Sequence, residues 1–162
     1  MSAHESVTLT DYQTLATFRY RLRQFLSFSE RNAKGAGLEP QQQQLMLAVK
    51  GLPPDQRPTI GTVAERLQIR HHSAVELLDR LVKKGLVERY REERGDRRQV
   101  LVRLTAAGEE VLKPAVSRAL AELQSTGSQL MSALGELMMH ADSLELANPD
   151  NGHEIVANTR TG

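Results

Sequence analysis

Arginine and lysine crowd into one stretch of this chain. Between Arg66 and Arg103 stand eleven of them against six Asp or Glu, although the whole sequence has a formal net charge of only +1. A guanidinium offers a planar fork of N–H donors that fits phosphate oxygens or the acceptor edge of guanine, so such a concentration suits a polyanionic partner. Two groups of side chains could make the contact. His72, Ser73, Glu76, Arg80 and Lys83 follow one another at spacings that share one helix face. On that face Ser could meet any base, Arg could fork onto guanine and Glu could accept from cytosine. The second group, Arg94, Asp96, Arg97 and Arg98, surrounds Gly95 as at the tip of an exposed turn. The plainer alternative is solvated charge, with Glu76 and Arg80 pairing one helical turn apart.

Other chemistries lack their residues. The chain has no Cys, which removes disulfides, thiolate metal sites and cysteine nucleophiles. His71 and His72 are adjacent and would point about 100° apart on a helix, while His4, His140 and His153 are scattered, so neither a metal site nor a cofactor is expected. There is no Gly-rich phosphate loop and no nucleophile elbow, and an enzyme is not expected. With no basic-then-apolar leader pattern and no apolar run of membrane-spanning length, the expectation is a soluble, cytoplasmic protein without a membrane partner.

The elements that must position the two groups can be read from apolar spacing. Aromatics are 4% of the residues and Trp is absent, so a core of Leu, Val, Ala and Met favours a mainly α fold. A first helix is expected over residues 9–33, with Leu15, Phe18, Leu22, Phe25 and Ser29 on one side. A second opens at Pro40 and ends near Lys50-Gly51. Thr59 caps a short third helix bearing Ile60, Val63, Ala64 and Leu67. After the turn Gln68-Ile69-Arg70, a fourth carries Ala74, Leu77, Leu78, Leu81 and Val82 and stops at Lys83-Lys84-Gly85. Two short amphipathic helices joined by a tight turn form a helix-turn-helix.

Beyond Gly85 the period changes. Residues 86–90 and 100–104 read as the strands of a hairpin whose tip is the second basic group, and a helix-turn-helix followed by such a wing is a winged helix. Thr105 should cap the next helix, which Pro114 is expected to kink, and a separate last helix is expected near 128–146. From Ser117 onward two Arg face six acids, so this part is not expected to approach phosphate. Long apolar stripes on 9–33 and 105–146 exceed what one small winged domain can cover, which points to a homodimer joined through these helices. Residues 40–104 would then be the DNA-binding part of one domain spanning 1–162, and 147–162 a flexible tail.

Gly85-Leu86-Val87-Glu88-Arg89, then Asp96-Arg97-Arg98, then Leu104-Thr105-Ala106-Ala107-Gly108 resemble the motif of the MarR family of winged helix-turn-helix transcriptional regulators. Ala64-Glu65-Arg66-Leu67 and Leu77-Leu78-Asp79-Arg80-Leu81 also fit. The resemblance implies a repressor that binds a pseudo-palindromic double-stranded operator as a homodimer, with Arg98 entering the minor groove and Asp96 bracing the hairpin or the arginine. It further implies a candidate small-molecule effector, aromatic or phenolic, held by Phe18, Arg19, Leu22 and Arg23 with Leu45, Met46 and Val49. Ordinary core plus surface arginines would give the same residues, and a DNA-independent helical scaffolding dimer is the alternative function. The chain departs from the pattern at Gln68, where such turns often have Gly, and at Arg70, where Ser or Thr commonly caps the recognition helix.

Overall fold

Steps of three and four residues between apolar side chains become five helices in the computed structural model, which describes residues 7–92 and 99–147. In chain order the elements are α1 (Leu9–Gly35), α2 (Pro40–Lys50), α3 (Ile60–Leu67), α4 (His71–Lys83), β1 (Val87–Tyr90), β2 (Leu101–Leu104) and α5 (Ala106–Ala147). The described residues form two compact units. One is Phe25–Ser125; the other joins the residues up to Gln24 with those from Thr126 onward. α1 and α5 contribute to both.

In the unit Phe25–Ser125 the core forms where the α4 stripe turns inward. Leu77, Leu78 and Leu81 are buried with Leu45 and Met46 of α2, Val63 of α3, Val87 of β1, Val102 and Leu104 of β2, and Leu112 of α5. Each such side chain taken from water contributes about 1.5–3 kcal/mol before the entropy of ordering it is counted. Gln42 and Gln43 are buried among these residues, so two members of the glutamine run on α2 are interior rather than surface. Near its C-terminal end α1 is tied to α5: Asn32, 6% exposed, donates from Nδ2 to the Ala115 carbonyl at 2.7 Å and accepts from Arg118 Nε at 2.7 Å.

The wing strands are antiparallel, Val87 opposite Leu104 and Tyr90 opposite Leu101. A further rung comes from the start of α3. Thr59 forms a bridge to Leu101, and the Pro58 carbonyl accepts the Val102 N–H at 2.9 Å.

Where α4 ends, β1 begins and α5 starts, the backbone closes into one corner. Gly85 takes φ +68, in the left-handed region that favours glycine, and Leu86 N–H returns to the Leu81 carbonyl at 3.1 Å. Thr105 meets this turn from the other side: its N–H donates to the Leu86 carbonyl at 3.1 Å and its hydroxyl to the Gly85 carbonyl at 2.6 Å. The same hydroxyl accepts the Gly108 N–H at 3.1 Å, capping α5 as its position foretells.

α5 differs from the expectation of two helices. It runs unbroken for 42 residues with Pro114 inside it. The carbonyl that Pro114 cannot serve belongs to Glu110, which is exposed, so water can take the missing donor's place. No turn residue after Ser125 forces a stop, since Gly127 costs only about 1 kcal/mol relative to Ala inside a helix.

In the other unit, the Asp11 carboxylate accepts from the Thr8 backbone N–H at 2.5 Å and from the Thr8 hydroxyl at 2.6 Å, and these bonds hold it below the ordinary carboxylate range. His140 Nε2 lies 2.7 Å from Asp11 Oδ1, outside the geometry of a directed hydrogen bond. Leu9, Tyr12, Leu15, Tyr20, Met131, Leu134, Met138 and Met139 are exposed in the single chain.

Gly108 makes the corner testable. A Cβ there would stand 2.0 Å from the Leu86 carbonyl oxygen, a backbone atom that cannot swing aside. Gly108→Ala should cost about 3 kcal/mol, at the upper end of overpacking penalties, and lower the urea midpoint accordingly. A midpoint equal to wild type would show that the corner opens freely.

Candidate nucleic-acid interface

Recognition geometry begins at the turn between α3 and α4. Thr59 caps α3 by accepting the Thr62 N–H at 3.1 Å. At the other end Gln68 adopts φ 54 and ψ 41, the left-handed conformation that costs a non-glycine residue about 1 kcal/mol. Its Nε2 donates to the Glu65 carbonyl at 2.8 Å, and the Ile69 N–H reaches the Ala64 carbonyl at 3.0 Å. So the departure from glycine at this position does not abolish the turn. It is made by Gln68 under strain.

α4 starts at His71 with Arg70 as N-cap and no side-chain cap bond. Ser73 is therefore the third helical residue and half-buried, not the cap. His72, Glu76, Arg80 and Lys83 are exposed, opposite the buried Ala74, Leu77, Leu78 and Leu81. One face thus brings together four of the five expected contact residues fully and Ser73 partly. Arg70 and His71, also exposed, extend it toward the helix start; only the helix boundary, which Arg70 obscures in the sequence, reveals this.

Two pairs arrange the cations of this surface. Asp79 on α4 pairs with Arg89 on β1, tying that helix to the first wing strand. Arg80 Nη1 stands 3.5 Å from Glu39 Oε2 at the start of α2, and its Nε donates to the Glu76 carbonyl at 3.4 Å. Sequence spacing alone suggested a Glu76–Arg80 side-chain pair; instead the Glu76 backbone serves Arg80 and the carboxylate partner comes from 41 residues away.

On the wing, Arg103 Nε donates to Glu88 at 2.6 Å and its guanidinium lies 4.8 Å from the Tyr90 ring centroid. Arg57, in the loop before α3, pairs with Glu92 at 2.6 Å where β1 leaves the sheet. Arg94, Asp96, Arg97 and Arg98, expected at the tip, lie outside the described residues.

Among the effector candidates, Leu45, Met46 and Val49 belong to the core of the winged unit, with Leu45 and Met46 1% and 0% exposed. Phe18, Arg19, Leu22 and Arg23 lie in the other unit, Arg19 and Arg23 exposed, Phe18 and Leu22 half-buried. Among the described residues no helix is long and apolar enough to cross a membrane.

Residues 36–99 match the sequence model of the MarR family. No curated protein sequence matches the chain. Solved structures share its fold. AbsC, a MarR family transcriptional regulator from Streptomyces coelicolor, is 19% identical with a TM-score of 0.67, over 88% of this chain and 97% of that one. A mutant of Staphylococcus aureus MepR bound to an oligodeoxyribonucleotide is 22% identical with a TM-score of 0.57, over 88% and 98%. CouR from Rhodococcus jostii, bound to p-coumaroyl-CoA, is 20% identical with a TM-score of 0.58, over 78% and 85%.

The strained turn yields a stability prediction. Gln68→Gly should leave stability within about 0.5 kcal/mol of wild type, because relief of the left-handed strain is offset by the lost side-chain hydrogen bond and the added freedom of the unfolded chain. Gln68→Val, branched at Cβ, should destabilise it. The urea midpoints of both variants check this, and a less stable glycine variant would mean that the Gln68 side chain matters more than its backbone.

Proposed function

We propose that this chain, MarR-family in sequence over residues 36–99 and a MarR-type winged helix-turn-helix in fold, is a sequence-specific DNA-binding transcriptional regulator that acts in the cytoplasm as a homodimeric repressor. The observation that carries this reading is the polar, exposed face of α4 set against a fully buried opposite face, with a hairpin following at once. Such a helix fits the major groove, and its side chains have the donor and acceptor types that read base edges. In this reading His72, Ser73, Glu76, Arg80 and Lys83 face the major groove, while Arg94, Asp96, Arg97 and Arg98 bring the wing tip to the minor groove, whose narrow A·T-rich form concentrates negative potential. The likeness to an oligodeoxyribonucleotide-bound MepR supports it.

A second copy of the chain is the proposed cover for the exposed apolar residues of the terminal helices, among them Leu9, Tyr12, Leu15, Met131 and Leu134. Two recognition helices about a two-fold axis call for half-sites about 34 Å apart. The bound state of CouR supports an effector with an aromatic acyl group for this chain too. Phe18, Arg19, Leu22 and Arg23 offer apolar surface and cations for it; Leu45, Met46 and Val49 already serve the core, so a ligand would reach them only by opening it.

Leu134→Glu should leave a monomer by light scattering at micromolar concentration and weaken operator binding on the order of a hundredfold, the loss expected when two linked contacts become one. A monomeric variant with wild-type affinity would separate DNA binding from dimerisation and overturn the symmetric-site reading.

Arg80→Ala and Arg98→Ala should fail differently across a panel of single-base operator changes at two salt concentrations. The first should cost about 1–3 kcal/mol at one base pair and relax the preference there. The second should weaken sites with A·T-rich flanks most and reduce the salt dependence. Wild-type protein showing equal affinity for operator and unrelated duplex would favour the scaffolding alternative.

A further inference from the structure

The DNA-facing arginine of α4 is not free in the chain, and its partner sits on a rigid corner. Glu39 precedes Pro40 at the start of α2, and its backbone N–H donates to Gln42 Oε1 at 3.2 Å. Gln42 is 1% exposed, so this first turn is locked into the core. Lys84, just past the end of α4, donates from Nζ to the same Gln42 Oε1 at 3.0 Å and to the Gly37 carbonyl at 3.3 Å. The α1–α2 corner thus engages two cations at the C-terminal end of the recognition helix, Lys84 through neutral acceptors and Arg80 through the Glu39 carboxylate at 3.5 Å.

We propose that Glu39 is a positioning residue that limits DNA affinity by competing with DNA for Arg80, an inference that rests on the DNA-binding reading above. Phosphate oxygens of any duplex attract a guanidinium regardless of sequence. A carboxylate already holding that guanidinium opposes the indiscriminate contact. It opposes a guanine-edge contact by the same amount, because either contact that takes Arg80 must first displace the carboxylate. Because both side chains of the pair are more than half exposed, at 52% and 61%, the pair is weak enough for the correct site to open.

Glu39→Gln should raise operator affinity about three- to fivefold, the most that an exposed pair of this kind carries, and affinity for unrelated duplex by no more than that. Removing a negative charge near DNA could by itself raise affinity everywhere, so the same change is made in an Arg80→Ala background. There Glu39→Gln should alter neither affinity. An equal gain with and without Arg80 overturns the proposal in favour of a general field effect, and no gain in the presence of Arg80 overturns it outright. Should Glu39→Gln lower the melting temperature, Glu39→Ser, which keeps an N-cap oxygen without charge, replaces it in the same cycle. Wild-type protein with no measurable affinity for any duplex would remove the DNA-binding reading itself, a failure distinct from a missing coupling between Glu39 and Arg80.

Discussion

Everything in the winged unit hangs on the close approach of two backbone segments, Gly85-Leu86 and Thr105–Gly108. The first is the exit from α4 and the second the entry to α5, and no side chain separates them at Gly108. Because Thr105 bonds both carbonyls of the turn, the end of α4, the first residue of the wing and the first turn of α5 share one origin. Core packing of Leu77, Leu78 and Leu81 then fixes the rotation of α4 about its own axis, and so decides which side chains look outward. Placement of the contact face is a consequence of apolar packing behind it, and the polar residues need only ride on that frame.

Electrostatics on that face are arranged for reversibility. The pairs Asp79–Arg89, Glu39–Arg80 and Glu88–Arg103 are all substantially exposed, so each contributes at most about 1 kcal/mol to stability and is screened further by salt. Their use is to limit where long cationic side chains wander. A base contact worth about 1–3 kcal/mol can displace such a partner, whereas a buried pair of the same groups would resist.

Much of this was legible in the sequence, for a local reason. α3 and α4 follow from stripes such as Ile60, Val63, Ala64 and Leu67, because a helix writes its burial into spacings of three and four. Caps at Thr59 and Thr105 are equally local. What escaped was set by distance along the chain or by solvent. Glu39 and Arg80 are 41 residues apart, and no period connects them. Burial of Gln42 and Gln43 depends on what packs over α2, which a run of glutamines does not announce. The unbroken α5 reflects the exposure of Glu110, which lets solvent absorb the defect that Pro114 brings. Arg70 concealed the start of α4 because the chain enters that helix through backbone geometry and not through a capping hydroxyl.

The bridge from Thr59 to Leu101 has a consequence of another kind. A two-stranded ribbon alone would show unpaired N–H and C=O groups along both sides, a template on which a strand of another molecule could add. On the β2 side that row is occupied: Thr59 sits against Leu101, and the Val102 N–H is spent on Pro58. Pro58 itself has no N–H to offer outward. The hairpin is thereby closed to edge-to-edge aggregation at Leu101 and Val102, using two residues, Pro58 and Thr59, already needed to begin α3.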